Sequence, residues 1–318
     1  MFSFTSQAKY INWLEFKNIL ILLSVVLTAC LVLYFLLCAK SKKGVIITKI
    51  CLASALFVLE VSRILWWYFR CKHYGDPFNF WIRFNFEMCS MMVWVNIFTL
   101  IVSIFVKKDN KLVCYLYNII FGAGMIGGIL TFVYPAFIDS YYSIFHFRNL
   151  QSIITHILLI VSPLFLLRSK QFRIELKNFW TIPFSLVCVG SISTFAGMCA
   201  NWNFAYCFYC APFKAIGINI PFPFHILTIM LFISSVQFLL YTIIEVYRHK
   251  KKKDAYSKIG IFEIFCFVVT LVYTAVHVTL LNYLASYAPS LLGLVFLIPL
   301  IISISLVTSF YFIKYKNN

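Results

Sequence analysis

Apolar residues in this chain gather in long blocks, and polar residues fill the short gaps between them. Nine blocks, roughly 18–38, 45–68, 86–106, 112–134, 150–168, 179–200, 223–247, 259–281 and 291–313, stand out. A helix needs about 20 residues to cross the hydrocarbon of a bilayer, so each block predicts one spanning helix. The first block is too long for the apolar part of a typical signal peptide, and no small-residue cleavage site follows it, so it reads as a span. The fourth carries Gly122, Gly124, Gly127 and Gly128, and the Gly124/Gly128 step permits close helix contact. Two connecting segments are longer than the rest, about 135–149 and 201–222, and the second contains Pro212, Pro221 and Pro223.

Composition strengthens this picture. Of 318 residues, 62% are hydrophobic and 12% charged, about half the charged share of an ordinary soluble domain. The formal net charge of +17 does not point to nucleic acid, because the Lys and Arg sit in short clusters between apolar blocks. Of the 27 basic residues, nineteen fall in segments on one side, seven on the other, and Arg63 lies inside a block. Cytoplasmic segments carry the excess, so the N-terminus is expected outside and the C-terminus in the cytosol. The expected fold class is therefore all-α, a polytopic transmembrane helical bundle of about nine helices in the plasma membrane. Trp66, Trp67, Trp81 and Trp202 fall near the outer boundary, where amphipathic rings prefer to sit.

Most of the eleven cysteines lie inside apolar blocks and read as small fillers. Cys71, Cys199, Cys207 and Cys210 lie nearer the outer face; one disulfide or spare thiols are both open there. Cys207 and Cys210 form a lone CxxC, which does not make a zinc site. HExxH, GxSxG, Walker-type and DxD patterns are all missing, so no metal and no cofactor is expected.

Ionisable groups inside spans are costly and so point to function. Glu60, Arg63, Glu87, Cys89, His156, Asn201, His225 and His277 come from six helices and share the outer half of the bilayer. That one-sidedness suggests a polar pocket open to the outer leaflet. A thiol needs a neighbouring base to become a thiolate, and a Cys with a His at matched depth offers nucleophile and base for acyl transfer. The competing reading of His156 is a buried histidine hydrogen-bonded across helices. Arg148, in the outer loop before the fifth block, and Arg83, just before the third, suit a lipid phosphate or ordinary interfacial snorkelling. Glu60 and Arg63, three residues apart, can pair. Glu87 either orients His156 or faces headgroup water.

At these residues the chain resembles the YwaF family of bacterial integral membrane proteins. The resemblance rests on FNFEMCSMMVW (84–94), GAGMIGGILTFVYPAF (122–137), RNLQSIITHILLIVSPLFLL (148–167) and NWNFAYCFYCAP (201–212), in that order. That family is similar to transmembrane protein 164 of animals, a phospholipid acyltransferase using a Cys and a His, and more distantly to androgen-induced lipid hydrolases using Thr and His. The resemblance implies Cys89 as acyl-accepting nucleophile, His156 as base and Asn201 as a pocket residue. Departures are Asn85-Phe86 where the family has Leu-Pro, and Asn201-Trp202 where it has Asn-Tyr. It also implies a core over 1–247, with 248–318 as an extension carrying the last two helices.

The expected function is acyl transfer at the outer leaflet through Cys89 and His156. Arg148, Arg63, Glu60, Glu87, Asn201 and His225 are the expected substrate contacts. The donor is a membrane phospholipid, and the acceptor a lysolipid, another lipid or a lipidated protein N-terminus. A lipid hydrolase would use the same pair with water as acceptor. A transporter or permease is the rival class, weakened by the lack of an inverted repeat and of polar residues across both leaflets.

Overall fold

The computed structural model describes residues 16–37, 41–84, 86–107, 110–133, 135, 142–206, 217–218, 220–221, 223–252, 258–284, 295 and 297–316. Among them the secondary structure is helical, with no strand. Cys207, Cys210 and Pro212 lie outside the described residues. The chain divides into two compact units, one of Met1–Arg83 with Cys89–Arg173, the other of Phe84–Met88 with Ile174–Asn318.

The first unit is built from α1 (Phe16–Leu36), α2 (Lys42–Tyr74), the short α3 (Phe80–Phe84, whose last residue belongs to the second unit), α4 (Met88–Phe105, from Cys89 onward), α5 (Lys111–Ile119), α6 (Met125–Val133) and α7 (Phe147–Arg168). A π-helical turn, Ile120–Gly124, joins α5 to α6, so the three make one span. Local chemistry sets the ends. Ser41 Oγ accepts the Gly44 N–H at 3.0 Å and starts α2, while Gly75, at φ 73°, takes the left-handed conformation that closes it. His146 Nδ1 accepts the Arg148 N–H at 3.3 Å at the start of α7.

Helix α7 is the axis of this unit and packs against α1, α2 and α6. Leu159, Val161, Ser162 and Leu166 on it are fully buried. The outward faces of α1 and α2 instead expose Ile21, Val25, Leu27, Phe57 and Val58. Apolar faces of that extent need lipid rather than water around them.

Helix α2 is longer than its apolar block predicts. It runs to Tyr74, past the block that ends near residue 68, so Arg70 and Lys72 are helical. Lys49, one of the nineteen basic residues on the side expected to be cytoplasmic, is drawn into the unit. Lys49 is 2% exposed, and its Nζ donates to Ser103 O (3.1 Å), Tyr117 Oη (3.0 Å) and Gln171 Oε1 (3.1 Å). Three neutral acceptors from three later segments satisfy the three ammonium donors, which is what lets the charge enter the unit.

The second unit contains a 3₁₀ turn (Leu176–Asn178), α8 (Thr181–Ala200), a second 3₁₀ turn (Phe204–Tyr206), α9 (Phe224–Lys252), α10 (Ile261–Leu284) and α11 (Leu297–Lys316). Helix α8 is its axis, packed on α9, α10 and α11 through Val187, Met230, Tyr273 and Leu300. Near the unit's polar end Glu245 accepts the Leu176 N–H at 2.6 Å, and Glu263 accepts the Gly260 N–H at 2.9 Å.

Seven of the described helices are long and apolar enough to cross a membrane: Lys42–Tyr74, Met88–Phe105, Lys111–Val133, Phe147–Arg168, Leu176–Ala200, Phe224–Lys251 and Ile261–Tyr283. These occupy the second to eighth predicted blocks. Two shorter apolar helices, Asn18–Tyr34 and Leu297–Phe310, occupy the first and ninth.

Candidate functional site

Cys89 is the second residue of α4, half-buried and not in a disulfide. Cys71 and Cys199 are not disulfide-bonded either. His156 is the tenth residue of α7 and 6% exposed. Its Nδ1 stands 2.7 Å from Ser152 O, one turn earlier on the same helix. A carbonyl oxygen only accepts, so Nδ1 carries the proton in that bond. In the neutral ring Nε2 then holds the lone pair, the form a general base requires. The ring of Phe132, on α6, meets the imidazole edge-on at 5.9 Å between centroids.

Two glycines bring the Lys111–Val133 span close to both partner helices. A Cβ on Gly128 would lie 3.2 Å from His156 O and 3.0 Å from Ile160 Cγ1, and one on Gly124 would lie 3.3 Å from Asn96 Nδ2. Asn96 is fully buried, and among the described residues neither atom of its amide finds a hydrogen-bond partner. Asn96 follows Cys89 by seven residues and so shares its face of α4.

These contacts bound the depth of the pair. Consecutive spans alternate in direction, so α4 and α7 run the same way and the glycine-bearing span runs against them. Gly128 lies one turn, about 6 Å, beyond Gly124 towards the end where α4 begins. Cys89 lies about 10 Å beyond Asn96 in the same direction. His156 and Cys89 therefore differ by about 4 Å along the helix axes.

Three other predicted site residues share this unit. The Glu60 carboxylate, 1% exposed, accepts Arg63 Nη2 at 2.6 Å and Arg63 Nε at 3.1 Å, so the two neutralise each other as the i, i+3 spacing suggests. Arg63 Nη1 also donates to Arg83 O at 2.9 Å, tying α3 to α2. Arg148, at the start of α7, lies over the ring of Trp67 with its guanidinium carbon 4.8 Å from the centroid. Gln151, which sequence reasoning missed, donates to Leu59 O at 3.2 Å and pins α7 to α2 one residue before Glu60. A lone Gln in an apolar block carried no signal beyond its polarity.

Glu87, Asn201 and His225 fall in the second unit. Glu87 Oε2 accepts the Ala205 N–H at 2.7 Å. That bond holds Ala205 at φ 46°, a left-handed conformation strained for a residue with a Cβ. Burial pushes the Glu87 carboxyl up to about 7, against the Ala205 N–H, which favours the charged form. The residue's edge reaches the surface, but its carboxyl is enclosed by protein atoms. Ser193 Oγ donates to Phe86 O at 2.5 Å and Phe86 packs edge-on against Phe204, fastening the 84–88 segment to this unit. Asn201 is exposed and ends α8 in the left-handed conformation at φ 51°, with its own N–H on Gly197 O. His225 is 1% exposed at the start of α9.

A second polar cluster, missed from sequence apart from His277, lies between α8 and α10. Ser191 Oγ contacts Tyr273 Oη and stands 3.3 Å from His277 Nδ1, while Thr194 Oγ1 stands 3.4 Å from His277 Nε2. All four side chains are buried, and the arrangement reads as mutual satisfaction of polar groups inside an apolar unit. Among the described residues no three His, Cys, Asp or Glu side chains are grouped to hold a metal.

Apolar helices of spanning length, buried polar side chains within them and lipid-facing exteriors define a multi-pass, all-α integral membrane protein. Within that class the chain belongs to the TMEM164 family, whose profile matches residues 10–241. No curated protein and no solved structure matches the chain.

Proposed function

We propose that this protein is a membrane-embedded acyltransferase that moves an acyl chain from a phospholipid through a thioester on Cys89, with His156 as the base. The observation that carries the reading is the histidine. Its Nδ1–H is committed to Ser152 O, which leaves Nε2 as the basic nitrogen, in the same compact unit as the thiol. Membership of the TMEM164 family supports it.

In the first step Cys89 Sγ attacks the ester carbonyl while its proton passes to His156 Nε2. The tetrahedral adduct then collapses, and the departing lysolipid oxygen takes that proton back. In the second step an acceptor hydroxyl or amine gives its proton to Nε2 and attacks the thioester, and the thiolate leaves and is reprotonated from His156. A dry chamber favours acceptor over water and so transfer over hydrolysis. On the first unit, Arg63, Glu60 and Arg148 shape or contact the substrate. The protein sits in the plasma membrane with nine spans, N-terminus outside and C-terminus in the cytosol, residues 1–247 forming the core and 248–318 an extension.

Purified protein incubated with acyl-labelled phospholipid is expected to carry a hydroxylamine-sensitive adduct at Cys89. Cys89→Ala removes the adduct, and His156→Gln slows its formation by roughly 10²–10⁴-fold. An adduct of undiminished size on Cys89→Ala protein overturns the assignment.

A further inference from the structure

The first unit gathers three arginines on one indole. The guanidinium carbons of Arg83, Arg148 and Arg70 lie 3.8, 4.8 and 5.2 Å from the centroid of the Trp67 ring. They come from three elements, α3, α7 and α2. Since all three sit on the same ring, no two of them are more than about 10 Å apart. The platform itself is rigid. Trp67 meets Trp66 edge-on at 5.0 Å, and Trp66, 6% exposed, is boxed by Tyr142 and His146, which stack on each other at 4.1 Å. Arg63 holds the Arg83 carbonyl at 2.9 Å and so delivers Arg83 to the ring. Arg70 is further wedged against Tyr74, 5.1 Å away.

Cations so close repel one another, and an aromatic face offsets only part of that. Glu60 is already paired with Arg63. Among the described residues neither Arg70 nor Arg83 forms an ion pair or a side-chain hydrogen bond, and the Nε of each is buried without a partner. Two guanidiniums whose Nε finds no partner among the described residues, gathered with a third on one ring, are an arrangement suited to an anion. A carboxylate would occupy one fork. A phosphate, with at least two non-bridging oxygens spread tetrahedrally, can engage two or three forks at once. The site lies at the end of the unit where α2 stops and α7 starts, ringed by Trp and Tyr, the level of lipid headgroups.

We infer that Arg70, Arg83 and Arg148, assembled on Trp67, form a phosphate-binding clamp that holds the phosphodiester of a phospholipid headgroup. The inference deepens the acyl-transfer reading by saying which part of the donor or acceptor lipid is gripped, and it can be tested without any acyl chemistry.

The test uses full-length Cys89→Ala protein in maltoside micelles, so that failure of the thioester reading leaves it untouched. Phenylglyoxal modifies accessible guanidiniums, and peptide mass spectrometry reads Arg70, Arg83 and Arg148 separately. Short-chain phosphatidylglycerol is expected to slow modification of all three by about tenfold, while diacylglycerol of the same chain length does nothing. Inorganic phosphate is the second arm: protection by lipid alone assigns a headgroup site, and equal protection by phosphate assigns a free-anion site of the same chemistry. Protection that is missing with both, or equal protection by diacylglycerol, overturns the clamp. Independently, Arg83→Gln is expected to weaken phosphatidylglycerol binding about tenfold and Arg83→Lys by less, since Lys keeps the charge and loses the fork. Unchanged binding by folded Arg83→Gln protein overturns it as well, and the protection assay on the unsubstituted arginines stands if that variant does not fold.

Discussion

Single side chains here are governed by what a low-dielectric surrounding does to a polar atom. Glu87 is the clearest case. Its carboxyl is raised to about 7 in the folded protein against about 4.5 ordinarily, so between those values the folded state holds a proton that the unfolded chain has lost. Its contribution to stability is therefore complete below about pH 4.5 and disappears as pH rises through about 7. Thermal unfolding followed by tryptophan fluorescence should show Tm falling across that window in the wild type, and a flatter profile for Glu87→Gln, which keeps an acceptor for Ala205 without the ionisation. Ala205 offers a second residue-level prediction. Its left-handed backbone is relieved by glycine, so Ala205→Gly should raise stability by about 1 kcal/mol, read from the same melts. The Glu60–Arg63 pair was legible in the sequence because its partners lie three residues apart on one helix. The tautomer of His156 was not, because Ser152 acts through its carbonyl, which every residue possesses.

At the scale of elements, the blocks of apolar residues located the helices well, since bilayer thickness sets their length whatever the side chains are. What they could not show is where a helix continues past the hydrocarbon. Helix α2 reaches Tyr74 because Trp67, Arg70 and Tyr74 recur at three- and four-residue spacing and stack on one another, a pattern indistinguishable in sequence from an interfacial loop. The π turn at Ile120–Gly124 was equally hidden, for its five small and apolar residues suit an α-helix as well. Close packing of Gly128 was legible as a small-residue step, although its partner was not. Gly128→Val would drive a side chain into His156 O, which is backbone and cannot swing aside. A loss of about 1–3 kcal/mol is expected, with acyl-adduct formation falling further than stability as α7 shifts. Comparing the melting curve with the labelling rate of the same preparation checks both halves.

For the whole molecule, two compact units each wrap spans around one central helix, α7 in the first and α8 in the second. The first unit has a charged keystone in Lys49. Lys49→Met removes the donor to Ser103, Tyr117 and Gln171 and leaves three acceptors, two of them buried, short of that partner. That loss should cost about 1–3 kcal/mol and lower the midpoint of denaturation in detergent. The keystone also dictates an order of events at the ribosome. Its acceptors lie 54, 68 and 122 residues further along the chain, so the ammonium emerges long before they exist. At about 5–20 residues per second, Gln171 follows Lys49 by roughly 6–24 seconds. Throughout that interval the start of α2 is expected to keep its cation in water or at the lipid surface, its set of acceptors complete only once the nascent chain has delivered Gln171. Stalled chains ending before Gln171 should accordingly leave Lys49 open to amine-reactive labels that the finished protein refuses.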